Sequence, residues 1–93
     1  TPEGQRTLAK MQAGLAVSQA DRMRLIGQFA PAFDILRTAW TAAPENVEVI
    51  QALARLYQSG NMPARAAQTF QLVLARDSRN RDALIGLAET AQA

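Results

Sequence analysis

The sequence predicts an all-α fold of about five antiparallel helices, and three observations support this prediction. Alanine makes up roughly a fifth of the 93 positions, while glycine and proline contribute only five and four residues, a balance that favours helix over sheet. Apolar side chains recur three and four positions apart, which is the spacing of one helix face. The pattern returns after 34 residues, so that Ala20, Ala54 and Ala88 are equivalent. A period of this length is typical of stacked helix pairs.

The first two helices are separated by a glycine. The first helix is predicted over residues 5–26. Its apolar residues lie near one face and are Leu8, Met11, Leu15, Met23 and Ile26. Gly27 ends this helix, because glycine adopts the left-handed conformation of a helix C-terminus without a Cβ clash. The second helix has Pro31 in its first turn, where the missing N–H costs no hydrogen bond, and it stops at Pro44.

Three further helices are predicted after Pro44. The third covers residues 46–59, and Asn46 is expected at its N-terminus as the capping residue. The fourth covers residues 63–76 and the fifth residues 80–92. Since no later helix of the chain can cover the fifth one, we expect its apolar face to be partly bare. That face carries Leu84, Leu87 and Ala91.

The 34-residue period carries a family resemblance. The shift places Ala32 on Ala66, Leu36 on Phe70, Ala39 on Val73, Trp40 on Leu74 and Asn46 on Asn80. The first helix of the central pair carries Ile50, Leu53, Ala54 and Tyr57. This order of large, leucine, small and aromatic residues resembles the tetratricopeptide repeat family. The sequence departs from the family pattern where Asn61 replaces the turn glycine, Ser78 the closing proline and Gln19 the usual leucine.

The resemblance implies a tetratricopeptide-repeat α-solenoid with its helices in a right-handed superhelix. We expect one fragment over residues 1–93, with repeats at 13–46 and 47–80 and a half repeat at 81–93. In such a superhelix the first helix of each pair lines the concave face, which binds partners. Because the chain begins with Thr1 rather than Met, we also expect it to be a segment of a larger protein.

The sequence offers no catalytic, cofactor-binding or metal site. It contains no histidine and no cysteine, so the commonest general base and the commonest metal ligands are missing. Ser18 and Ser59 therefore have no histidine to activate them. The glycines are isolated and form no phosphate-binding loop. We predict a protein that is not an enzyme and that needs no cofactor.

Polar residues on the first helix of each pair are the candidates for partner binding. They are Asp21 and Arg24, then Glu48, Gln51, Arg55 and Gln58, and finally Asp82 and Glu89. Arginine is a suitable anchor, because its guanidinium group can hold a carboxylate bidentately. The alternative interpretation is that these residues are solvated helix faces. The lysine–asparagine clamp of chaperone-binding members is not reproduced, since the matching pairs are Val17 with Asp21, Gln51 with Arg55 and Ile85 with Glu89.

A second resemblance concerns the larger protein. The segment from Ala52 to Ala91 is similar to the periplasmic repeat region of the cellulose synthase operon C proteins. This implies a periplasmic scaffold, part of an outer-membrane-associated protein in cellulose synthesis and export. Its expected partners are proteins or peptides, namely cellulose synthase subunits or peptidoglycan. Contact with the glucan is expected to be weak, because Trp40 and Tyr57 belong to the core stripe.

Two other functional hypotheses stay open at this point. The first is a generic peptide-binding adaptor in envelope or pilus assembly, and a cytoplasmic location is the alternative to the periplasm. The second, a nucleic-acid module, has the least support, because the formal charge is only +2 and the basic residues are spread out. No apolar run is long enough to cross a bilayer. We also expect self-association through the end helices.

Overall fold

A computed structural model describes residues 2–92 of the chain and contains the five predicted helices in order. They are α1 (Pro2–Leu25), α2 (Phe29–Ala42), α3 (Val47–Ser59), α4 (Pro63–Arg76) and α5 (Arg81–Gln92). The central helix α3 contacts all four others, and the molecule measures 46 × 30 × 17 Å along its principal axes. The predicted all-α fold is therefore confirmed. The predicted outer limits at residues 1 and 93 lie outside the described residues.

The turns after α1 and α3 have the same hydrogen bonds, 34 residues apart. Gln28 N donates to Met23 O over 2.8 Å, and Met62 N donates to Tyr57 O over 2.9 Å. Gly27 has a φ of +79° in the first turn. Asn61 has a φ of +61° at the equivalent position of the second turn. Asparagine therefore takes the left-handed conformation that glycine supplies one repeat earlier, which few other L-residues adopt readily.

The helices α3 and α5 begin with the same cap. The Asn46 Oδ1 atom accepts a hydrogen bond from Val49 N over 3.2 Å, and Asn80 Oδ1 accepts one from Ala83 N over 3.0 Å. Each bond satisfies a backbone N–H that the first turn of a helix leaves without an intrahelical partner. The predicted capping role of Asn46 is confirmed, and it recurs after one period.

The core consists of two buried clusters that meet at α3. The first lies between α1, α2 and α3 and contains Ala20, Ala32, Leu36, Ala52, Leu53 and Leu56. The second lies between α3, α4 and α5 and contains Ile50, Ala54, Ala66, Phe70, Val73 and Ala83. Trp40 packs against both clusters, and its Nε1–H donates to Pro44 O over 3.1 Å. The alanines let helix backbones approach closely, while the larger side chains fill the remaining space.

The two clusters differ at two equivalent positions, and the larger residue at one position is balanced by a smaller residue at the other. One period separates Leu36 in the first cluster from Phe70 in the second, and Ala52 from Gly86. A Cβ atom on Gly86 would lie 2.4 Å from Cζ of Phe70. The phenylalanine ring is larger than the leucine side chain, and it fits because Gly86 on α5 has no methyl group where Ala52 on α3 has one.

Two sequence predictions for α1 need correction, while the prediction for Pro31 is confirmed. Helix α1 covers Pro2–Leu25 rather than 5–26, whereas α2 begins at Phe29 and so has Pro31 in its first turn. The apolar residues Leu8, Met11 and Leu15 are 54%, 67% and 58% exposed. The side of α1 that packs in the core carries Ala13 and Ala20 instead. Helical periodicity identified the element, but small side chains occupy its contact with α2 because the two backbones are close.

Candidate partner-binding face

All eight predicted binding residues lie on the first helix of a pair, that is, on α1, α3 or α5. Seven of them make hydrogen bonds or ion pairs with side chains of a neighbouring first helix or its turn. We call this surface the first-helix face. The eighth residue, Glu48, is exposed in the first turn of α3 and makes no side-chain hydrogen bond within residues 2–92. The prediction that these residues bind a partner remains a prediction.

An ion pair joins α1 to α3 on the first-helix face. Arg55 Nη2 lies 3.1 Å from Asp21 Oδ2 and 3.4 Å from Asp21 Oδ1. Arg24 Nε lies 3.7 Å from the same carboxylate, and Arg24 Nη1 donates to Ser59 Oγ over 3.1 Å. Asp21 and Arg55 are one period apart, so the repeat itself places opposite charges beside each other.

This ion pair limits what the two arginines can hold. The Nε atoms of Arg24 and Arg55 are buried, and within the described residues neither has a hydrogen-bond acceptor. A bidentate contact that uses Nε is therefore closed to an external carboxylate. Both side chains are instead positioned against Asp21, where they stabilise the contact between α1 and α3. The predicted use of these arginines as carboxylate anchors remains a prediction.

Amide groups join α3 to α5. Gln51 Nε2 donates to Asp82 Oδ2, and Gln58 Nε2 donates to Glu89 Oε2, each over 2.7 Å. Asn80 Nδ2 donates in turn to Gln51 Oε1 over 3.1 Å. These bonds hold both carboxylates of α5 in fixed orientations. Because the donors are neutral amides, the negative charges of Asp82 and Glu89 are not compensated by a cation there.

A cleft of about 220 Å³ opens between α3 and α5 on this face. Arg55 and Gln58 form its α3 side, and its α5 side contains Asp82, Ile85 and Glu89. Its floor is the Phe70 ring together with the backbone of Gly86. The cleft therefore combines an apolar floor with polar walls, which is a common arrangement of ligand-binding sites.

The sequence did not indicate two contributors to this face, Ser59 and Asn80. The sequence suggests no role for Ser59 beyond that of a hydroxyl without an activating histidine, but this hydroxyl accepts a hydrogen bond from Arg24. Asn80 repeats the cap residue Asn46 after 34 positions, and this identity was the available signal. Its second role as a donor to Gln51 depends on the distance between α3 and α5, which the sequence does not give.

Larger grooves lie elsewhere on the molecule. One of about 450 Å³ runs along α1 and α2 and is lined mainly by alanines, among them Ala9, Ala16 and Ala42. Another of about 440 Å³ contains the aromatic residues Phe29 and Phe33. Neither groove contains any of the eight predicted residues. Within residues 2–92, no cluster of acidic side chains fits a metal ion, and no helix is long and apolar enough to span a membrane.

The paired helices, their 34-residue period and the polar first-helix face define a class of repeat protein. The family model of the tetratricopeptide repeat matches residues 27–78, and the chain belongs to this family. Repeats of this family generally mediate protein–protein interaction and generally act as non-catalytic scaffolds. The chain is accordingly a protein-interaction repeat segment.

The chain is also similar to particular proteins of one bacterial genus. It is 35% identical over 82 residues to cellulose synthase operon protein C of Komagataeibacter sucrofermentans, which covers 88% of this chain and 6% of that protein. It is 45% identical over 56 residues to cellulose synthase 1 operon protein C of Komagataeibacter xylinus, covering 60% of this chain and 4% of that protein. Cellulose synthase 2 operon protein C of the same species is 32% identical over 98% of this chain and 7% of its own length.

Proposed function

We propose that the chain is a non-catalytic scaffold segment in the periplasmic part of a bacterial machinery that makes and exports cellulose. The observation that carries the proposal is the similarity to cellulose synthase operon protein C over 88% of the chain. The chain spans only about 6% of that protein's length, so this role is one contribution to a larger assembly. The alternative is a generic peptide- or protein-binding adaptor in envelope or pilus assembly.

The proposed partners are proteins or peptides, with subunits of the cellulose synthase and the cell-wall polymer peptidoglycan as candidates, and contact with the glucan chain is proposed to be weak. Sugar binding usually uses exposed aromatic faces, and the central aromatic residues here are engaged in packing. Trp40 packs against both core clusters. Tyr57 is half-buried and makes an edge contact with Phe33, with ring centroids 5.6 Å apart. The first-helix face supplies charges and amides, which suit a polypeptide.

A capture experiment tests the proposal. The purified chain is immobilised and exposed to periplasmic and membrane extracts of a cellulose-producing Komagataeibacter strain, beside an unrelated helical repeat protein of similar length. We expect specific enrichment of subunits of the cellulose synthesis machinery, identified by mass spectrometry. Enrichment of pilus or lipoprotein assembly factors alone would contradict the proposal and favour the adaptor.

A titration with cello-oligosaccharides separates protein contact from glucan contact. Calorimetry of the free chain is expected to detect no binding of the sugar, because the described aromatic rings at the centre of the fold are packed. Tight binding of the sugar without capture of any protein would overturn the scaffold proposal.

A further inference from the structure

We propose that the cleft between α3 and α5 binds a lysine or arginine side chain of an extended polypeptide. This inference rests on the proposed protein-binding role and adds to it the charge of the partner. It reverses the expectation from the sequence, in which arginines of the same face anchor a carboxylate. The expected charge of the partner changes because both arginines of the face are already paired with Asp21, whereas within the described part of the chain the other carboxylates of the face are not paired with a cation.

The two positive charges of the first-helix face are both paired with the same carboxylate of that face. Arg24 and Arg55 both approach Asp21, at 3.7 Å and 3.1 Å. The remaining charges of the face are the carboxylates of Glu48, Asp82 and Glu89, and no cation lies within ion-pair distance of them in residues 2–92. The face carries four carboxylates and two guanidinium groups, a net charge of −2, although the whole chain carries +2.

The cleft matches the shape of a long basic side chain. Asp82 and Glu89 are seven residues apart on α5, which places them on the same side and about 10 Å apart along the helix axis. Ile85 lies between them and is 49% exposed, beside the floor formed by Phe70 and Gly86. A lysine or arginine stem packs against such apolar surface while its charged end reaches a carboxylate.

The carboxylates are already oriented before a ligand arrives. Gln51 and Gln58 each hold one of them through a 2.7 Å hydrogen bond to a single oxygen. Within residues 2–92, the second oxygen of each carboxylate, Asp82 Oδ1 or Glu89 Oε1, accepts no hydrogen bond. Orientation of the acceptors in the free protein lowers the entropy cost of binding. Their free oxygens are the acceptors for an ammonium or guanidinium group.

Long-range electrostatics makes the proposal testable. The chain as a whole is positive, so a basic peptide is repelled at a distance and binds only where the local charge is negative. An acidic peptide would be attracted to the chain as a whole but repelled by this face. The preference between the two peptides therefore reports on the first-helix face rather than on total charge.

The first experiment measures fluorescence anisotropy of a labelled peptide in which lysine alternates with serine, and of its counterpart with glutamate in place of lysine. We expect the lysine peptide to bind and to weaken as salt screens the charges, while the glutamate peptide does not bind. Equal binding of the two peptides, or preference for glutamate, would overturn the proposal.

Matched variants locate the binding site. Asp82→Asn with Glu89→Gln removes the two carboxylates that line the cleft and nearly keeps the side-chain shapes. Asp34→Asn with Glu45→Gln makes the same change in net charge away from that face, on α2 and in the turn before α3. We expect the first variant to weaken lysine-peptide binding about tenfold and the second to leave it nearly unchanged. Equal weakening by both variants would refute a localised site.

A measurement on the unaltered chain removes any dependence on variant folding. Amide chemical shifts followed during the titration are expected to change mainly at Gln58 and at residues 82–89. Changes confined to α2 and α4, or displacement of the peptide by cello-oligosaccharide, would refute the proposed occupant. If the synthetic peptides do not bind, the proposed cleft for a basic side chain is refuted. The scaffold role is tested separately, because it depends on the capture of cellulose-machinery proteins from extracts.

Discussion

Asn61 has a left-handed backbone at the position where the preceding turn has Gly27. For most L-residues this conformation brings Cβ too close to a carbonyl oxygen, and asparagine tolerates it better than most. The substitution preserves the hydrogen bonds that close α3, including the one from Asn61 N to Gln58 O over 3.1 Å. A single backbone angle therefore keeps the two turns alike despite the change of residue.

Replacement of Asn61 by alanine is expected to lower the free energy of unfolding by about 1 kcal/mol, because alanine does not tolerate a φ of +61°. In a domain of this size, thermal unfolding followed by circular dichroism should show a midpoint about 4–8 °C lower. Asn61→Gly is the matched control and should equal or exceed the wild-type midpoint. An alanine variant as stable as the wild type would show that the turn carries no such strain.

The residues that end and begin the helices could be predicted from the sequence. Gly27 and Asn46 were predicted to end and to begin helices, and both do so through local backbone geometry. The pairing of Arg55 with Asp21 was not predicted, although the two are one period apart. Local residues fix a cap, whereas an ion pair depends on how closely two helices approach each other.

Helices α4 and α5 fit together because a large residue on one faces a glycine on the other. The Phe70 ring is 1% exposed and occupies the space that a Cβ on Gly86 would enter. Glycine inside a helix normally lowers stability by about 1 kcal/mol relative to alanine. At this position the packing of Phe70 requires glycine, although alanine would be the better residue for the helix itself. The contact between α4 and α5 therefore outweighs the helix propensity of α5.

We expect Gly86→Ala to destabilise the protein by about 1–3 kcal/mol, since the new methyl group forces the buried ring to move. Phe70→Leu alone should also destabilise it, by leaving space in the second cluster. The double variant restores the combination of Leu36 and Ala52 found one period earlier and should be more stable than the sum of the single effects predicts. Denaturant unfolding of all four proteins measures this coupling, and strictly additive effects would contradict it.

The last helix of the stack, α5, differs from the central helix α3 in how much of its apolar face is covered. Leu84, Ala88 and Ala91 of α5 lie one period after Ile50, Ala54 and Tyr57 of α3, which pack against α4. On α5 these equivalents are exposed, with Leu84 at 51%. The predicted bareness of Leu84 and Ala91 is confirmed, while Leu87 is half-buried.

We predict concentration-dependent self-association through the exposed apolar side of α5 that carries Leu84, Ala88 and Ala91. Docking of two chains there removes apolar surface from water. Sedimentation equilibrium is expected to show dimers at high protein concentration. Leu84→Lys should shift the chain towards monomer, whereas Leu72→Lys on α4, where the leucine is 45% exposed, should not. A monomer at the highest attainable concentration would refute the prediction.

The sequence predicted the architecture better than it predicted the surface. A 34-residue period was sufficient to place five helices and their order, because each position repeats the same packing requirement. It did not indicate that Leu8, Met11 and Leu15 are exposed or that the arginines of the first-helix face are already paired. These features depend on neighbouring helices and on the distances between them.

Trp40 is the only tryptophan of the chain, and its ring packs against both core clusters. Its indole is thus a natural optical reporter placed at the junction of the two repeats. Opening of either cluster changes the surroundings of the same fluorophore, so intrinsic emission records the loss of whichever repeat opens first, without any added label.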